Sequence, residues 1–178
     1  MIGQGYIYAH VARVHEGADN QLFWGLHVAL DSSDHVLAVS CDWMTLAMAS
    51  WRGLGELSLS DVVKPELMGC SFYIDGEHLL ARLLSLSVTA GEKPATFHAT
   101  LSMEVPTADG GASLPPLDIE AALRFDGYIV VPGNITPPIS DEEAATRLLG
   151  TLIDTTSVAA PVWDRFRFVF APRLVEAG

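Results

Sequence analysis

"GYIYAHVARVHEGADNQLFWGLHVALDSSDHVLAVSC", residues 5–41, holds three runs of alternating apolar and polar side chains, separated by EGADN (16–20) and DSSD (31–34). Alternation at a period of two marks a half-buried strand, and Gly, Asn, Asp and Ser between such runs reverse the chain. The stretch therefore predicts a three-stranded antiparallel meander over 5–15, 21–30 and 35–41. If both connections are simple hairpins, Ala12 opposes Trp24, His10 opposes Leu26, Trp24 opposes Cys41, Leu26 opposes Val39 and Val28 opposes Leu37. One face then carries Tyr8, His10, Trp24, Leu26, Val28, Val39 and Cys41 as a core. The other carries Ala9, Phe23, Gly25, His27, Ala29 and Ala38, small residues for the most part, which let a helix or a ligand approach closely.

The meander runs into SCDWMTLAMASW (40–51). Asp42 suits a helix N-cap and Gly53 a helix terminator, so 42–52 is expected to be a short helix. At 100° per residue, Trp43, Met44, Met48 and Trp51 share one broad apolar side. Further on, Asp75-Gly76 signals a tight hairpin between SFYI and EHLL. ATFHATLSMEV (95–105) and LDIEAALRFDGYIVV (117–131) alternate as strands with one wet face, and VWDRFRFVF (162–170) reads as a closing strand. SDEEAATRLLGTLID (140–154) carries a capping box, Ser140 with Glu143, and an apolar stripe of Ala144, Leu148, Leu149 and Leu152. The fold class expected is α+β and mainly antiparallel, with roughly eight strands in a curved sheet, sandwich or open barrel. Two principal helices lie near 42–52 and 140–154, within a single domain spanning 1–178.

Composition narrows the partners. The chain has 22 acidic against 10 basic residues and a formal net charge of −12, with no cluster of Lys and Arg. Such a surface repels phosphate backbones and anionic lipid, so neither nucleic acid nor membrane is expected, while a basic protein partner suits it. No apolar run approaches the ~20 residues of a membrane span. The sequence begins without a basic and then apolar leader, and the expected location is the cytoplasm. Cys41 and Cys70 fit neither a C-x-x-C redox pair nor a zinc knuckle and are expected to be free and buried.

Several constellations invite chemistry and fall short of it. A thiol at a helix start can be activated by the helix dipole, which would make Cys41 a nucleophile. It needs a base within ~3 Å, and His35, six residues away on its strand, lies about 20 Å off at ~3.3 Å per residue. His27, among small residues, is the histidine best placed to touch a ligand, with Phe23 beside it. His10 reads as a core histidine and the others as exposed. DSSD lacks the order of a calcium loop, the acids at 141–143 belong to a helix start, and ADGGAS (108–113) matches no phosphate-binding loop. No catalytic residues, cofactor or metal site is assigned.

Two functions follow. The first is a non-enzymatic intracellular module that binds another protein, such as an acidic antagonist of a basic protein or a subunit of an assembly, using a strand edge and the Trp43, Met44, Met48 and Trp51 side. The second is a small-molecule-binding protein or enzyme with a pocket between the N-terminal sheet and the 42–52 helix, lined by Phe23 and His27.

Overall fold

The computed structural model describes residues 1–106 and 115–174, so ADGGAS lies outside the described residues. Among the described residues nine strands form one mainly antiparallel sheet: β1 (Ile2–Ala12), β2 (Gln21–Leu30), β3 (Leu37–Met44), β4 (Gly69–Ile74), β5 (Glu77–Ala90), β6 (Thr96–Glu104), β7 (Leu117–Val130), β8 (Val162–Asp164) and β9 (Arg167–Phe170). Each of the first six pairs with the next, and β1 also pairs with β7 in parallel, which closes β1 to β7 into a barrel. Among the alternatives of curved sheet, sandwich and open barrel, the chain takes the closed form of a barrel. Closure removes the free edges that an open sheet would expose.

Alternation decides which side chains fill the lumen. Ile7, Ala9 and Val11 point inward from β1, Trp24, Leu26 and Val28 from β2, Val39 and Cys41 from β3, and Cys70 and Phe72 from β4. Leu86 and Val88, Phe97 to Met103 at every second position, and Ile119 to Phe125 likewise complete the interior. A bulge at Asp126 lets β7 keep this pattern: β1 pairs Ile7 with Phe125 but Tyr8 with Gly127, which restores Tyr128 and Val130 to the buried side. Gly127 has φ +114°, and a Cβ there would lie 2.5 Å from the Phe170 carbonyl oxygen on β9, so the bulge requires glycine.

The meander is as expected, but its registers differ. Gly25 lies opposite Tyr8 and Trp24 opposite Ala9, an odd offset from the simple-hairpin count, so Tyr8 and His10 face out of the barrel. The cause is the connection at 13–20, longer than a tight turn. Between β2 and β3 the offset is even, Leu26 opposing Cys41, and those faces are unchanged.

The helix expected over 42–52 is absent. β3 runs on to Met44, Thr45 and Leu46 hydrogen-bond or bridge to residues 62–64, and a short 3-10 turn occupies Trp51–Glu56. The backbone groups that a helix would use internally are taken by these long-range partners. The expected helix at 140–154 is present as α1 (Glu142–Gly150). Its N-cap is Asp141, which accepts from the Ala144 N–H at 2.7 Å, in place of the Ser140 to Glu143 box. Ala145 and Leu149 of α1 join the barrel core. The expected closing strand at 162–170 is instead a hairpin, β8 and β9, attached to the far half of β7. Among the described residues no helix is long and apolar enough to cross a membrane.

Candidate functional site

The four residues expected on one helical side are dispersed. Asp42 and Trp43 together oppose the single residue Gly25, a bulge with Trp43 at φ 63°. Trp43 is thereby turned outward, with ring centres 4.9 Å from Phe23 and 5.3 Å from His10, and stays 39% exposed. Met44 points into the lumen opposite Trp24. Trp51 is buried, its ring stacked 5.8 Å from Phe125 and its indole N–H donating to the Ser157 carbonyl at 2.8 Å. Met48 is half-buried. Phe23 is covered by Trp43, His27 opens onto a different surface, and the cavity beside Trp43, lined by Ala12, Arg13, His15, Glu16 and Asn134, includes neither of them.

That surface is the outer face of the barrel. His27, Tyr6, Tyr8 and His10 form a row of rings with centres 5.3 to 5.9 Å apart, and Phe23 and Trp43 continue it. The row exists because β1 places Tyr6, Tyr8 and His10 on the same parity, outside, while the smaller Ile7, Ala9 and Val11 go in. The Tyr8 hydroxyl donates to Asp42 Oδ1 at 2.6 Å, and the Ser40 hydroxyl donates to Asp42 Oδ2 at 2.7 Å. Burial, then the bond to Asp42, raises the Tyr8 pKa, so its phenol is a donor and not a base. Burial lowers the pKa of His10, opposed by the Asp42 charge, and His10 Nδ1 is enclosed without a hydrogen-bond partner.

Two grooves flank the row. One, of about 790 Å³, has Gly5, Ala29 and Ala122 along its floor and Tyr6, His27, His98 and Arg124 around it, and the turn between β5 and β6 contributes Lys93. Arg124 lies 6.0 Å over the Tyr6 ring and is paired with Asp126 at 2.7 Å. The other, of about 610 Å³, runs between Tyr6 and Tyr8 on β1 and Val162, Asp164 and Arg167 on the β8–β9 hairpin. The hairpin is also the outermost part of the sheet. β8 is its terminal strand, and Val162, Trp163 and the turn residue Phe166 are 66%, 49% and 60% exposed.

The arrangement supports little acid–base chemistry. Ser71 Oγ lies 2.7 Å from His78 Nε2, but among the described residues no side chain bonds the other ring nitrogen. The pair sits on the outer face, with His78 stacked 5.0 Å from Tyr73. His35 and Asp75 meet at 2.7 Å in an exposed contact that ties the β2–β3 connection to the β4–β5 turn, where Asp75 also accepts from the Val36 N–H. Among the described residues no three His, Cys, Asp or Glu side chains converge as metal ligands. Cys41 is buried beside Cys70 in the lumen, not at a helix start.

Sequence reasoning missed Tyr6, Tyr8, Arg124 and the β8 edge. The available signal was the pairing of bulky Tyr8 with Gly25, legible only once the β1–β2 register is known. Compared with protein-family models, curated proteins and solved structures, the chain finds no match.

Proposed function

We propose that this chain is a non-enzymatic protein-binding module that takes up an extended segment of its partner along the β8 edge. The observation that carries the reading is the contrast between a barrel sealed by the β1–β7 pairing and a terminal strand with Val162 and Trp163 exposed beside the exposed turn residue Phe166. Edge strands can template pairing with another chain; β8 is short, three residues between Pro161 and the turn, so its exposed Val162 and Trp163 side chains would supply much of the contact. Backbone pairing would supply affinity, and alternate side chains of the incoming strand would meet Trp163 on one face and the Tyr8 groove on the other. The net charge of −12 favours a basic partner, and association would weaken as salt rises. An antagonist of a basic protein or a subunit of an assembly, acting in the cytoplasm, is consistent with this surface.

The test is affinity capture with the wild type, Trp163→Asp and a control, Leu80→Asp, at a residue still more exposed on the barrel side. The reading expects one stoichiometric protein, released by high salt, bound by wild type and control but not by Trp163→Asp. Equal recovery by all three variants, or capture of nothing, contradicts it.

A second reading is favoured by the groove around Tyr6 and His27, whose roughly 790 Å³ lies in the range of small-ligand sites. A metabolite retained in native mass spectrometry by the wild type and lost on His27→Ala would support this reading over the first.

A further inference from the structure

Cys41 on β3 and Cys70 on β4 are direct partners in an antiparallel ladder, and both side chains point into the lumen. Partnered Cα atoms in such a ladder lie about 4.5 to 5.5 Å apart, within the ~4.4–6.8 Å that a disulfide spans. The two sulfurs are 2.8 Å apart and unbonded, so no backbone movement is needed to join them. We propose that Cys41 and Cys70 are a reversible modification site, at which a peroxide converts the thiol pair into a cross-strand disulfide that ties β3 to β4.

Cys70 is the attacking sulfur, the less buried of the two at 5% against 0% exposed. Its contact with the Cys41 thiol, aided by the Leu83 backbone N–H, holds its pKa below the ordinary thiol value against the effect of burial. The same contact, burial and the nearby Asp42 charge push Cys41 up. The Cys70 thiolate attacks one peroxide oxygen, the O–O bond breaks, and the departing hydroxide takes a proton and leaves as water. Cys41 sulfur then attacks the resulting Cys70 sulfenic acid; the S–O bond breaks, and the hydroxide leaves with the Cys41 proton as a second water. Each sulfur loses one electron and each peroxide oxygen gains one. A dithiol reductant reverses the bond by exchange. Because the resolving sulfur is already in contact, the sulfenic acid is consumed before further oxidation. The bond closes the loop between positions 29 apart in sequence, which includes the buried Trp51, so the unfolded chain is constrained and the oxidised form melts higher.

The experiment treats the full chain with hydrogen peroxide, then unfolds it in acid, alkylates it with iodoacetamide and records the intact mass. The expected product is a monomer lighter by two hydrogens that takes up no alkyl group, takes up two after dithiothreitol, and melts above the reduced form. Two alkyl groups after peroxide, oxygen located on Cys41 or Cys70 by peptide mapping, or a disulfide-linked dimer would overturn the proposal; oxygen on the five methionines is scored separately. In the same treatment C41S should gain oxygen at Cys70 while C70S gains none at Cys41, and the reverse would overturn the assignment of the attacking sulfur. If neither variant folds, the wild-type masses alone decide the matter.

Discussion

The Tyr8 hydroxyl on β1 reaches across β2 to Asp42 on β3, 2.6 Å away, and the residue beneath its ring is Gly25. This bond ties β1 to β3 and holds Asp42 at the bulge. A Cβ on Gly25 would lie 2.4 Å from the Tyr8 ring carbon, so Gly25→Ala must displace the phenol from Asp42. The substitution is expected to cost about 1 to 3 kcal/mol, read as a lower urea midpoint. An unchanged midpoint would show that the ring has room to move.

Trp43 and Trp51, eight positions apart, should respond in opposite ways. Trp51→Ala leaves a cavity against Phe125 and removes one of the two donors to the Ser157 carbonyl, the Arg173 N–H remaining, costing ~3 to 5 kcal/mol in denaturant unfolding. Trp43→Ala removes a partly exposed ring and leaves the fold intact. Because Trp43 has φ 63°, Trp43→Gly should be less destabilising than Trp43→Ala, by on the order of 1 kcal/mol.

Acid should weaken the fold in two windows. Burial lowers the His10 pKa, so the unfolded chain takes up that proton first. The associated stability is complete above the ordinary histidine value of about 6.5 and is lost as pH falls below it. Asp75, Asp141 and Asp154 have lowered values, caused for Asp75 and Asp141 first by backbone N–H donors and for Asp154 first by the Thr156 hydroxyl. Their contribution is present above the ordinary carboxylate value of about 4 and is lost as pH falls through the folded-state value. Urea midpoints measured against pH should fall in both windows; His10→Phe should flatten the upper one and Asp75→Asn should shallow the lower.

Strand content was legible because β6 and β7 alternate cleanly, Phe97 to Met103 and Ile119 to Phe125 going inward as their spacing demands. The α1 stripe was legible in part from helical spacing: Leu149 is buried with Leu148 and Leu152 beside it, but the buried alanine is Ala145 and not Ala144. The segment after Cys41 misled because Asp42, Trp43 and Met44 satisfy helix spacing locally, while what decides their conformation is remote: Tyr8 and Gly25 at the bulge, and residues 62–64 against Thr45 and Leu46. Barrel closure was hidden because the parallel pairing of β1 with β7 joins segments more than a hundred residues apart and leaves no local signature. The β8–β9 hairpin was read as one strand because Phe166, Phe168 and Phe170 keep the period of two through a turn in which Arg165 has φ 59°.

Protein binding at β8 is tested most directly by photo-crosslinking inside cells. A photoreactive residue is placed at position 163 and, as a control, at position 80, where Leu80 is 72% exposed on β5. The account predicts a single protein adduct at 163, absent at 80, whose crosslinked peptide is an extended segment of the partner. Adducts of equal yield at both positions, or none at 163, would contradict it.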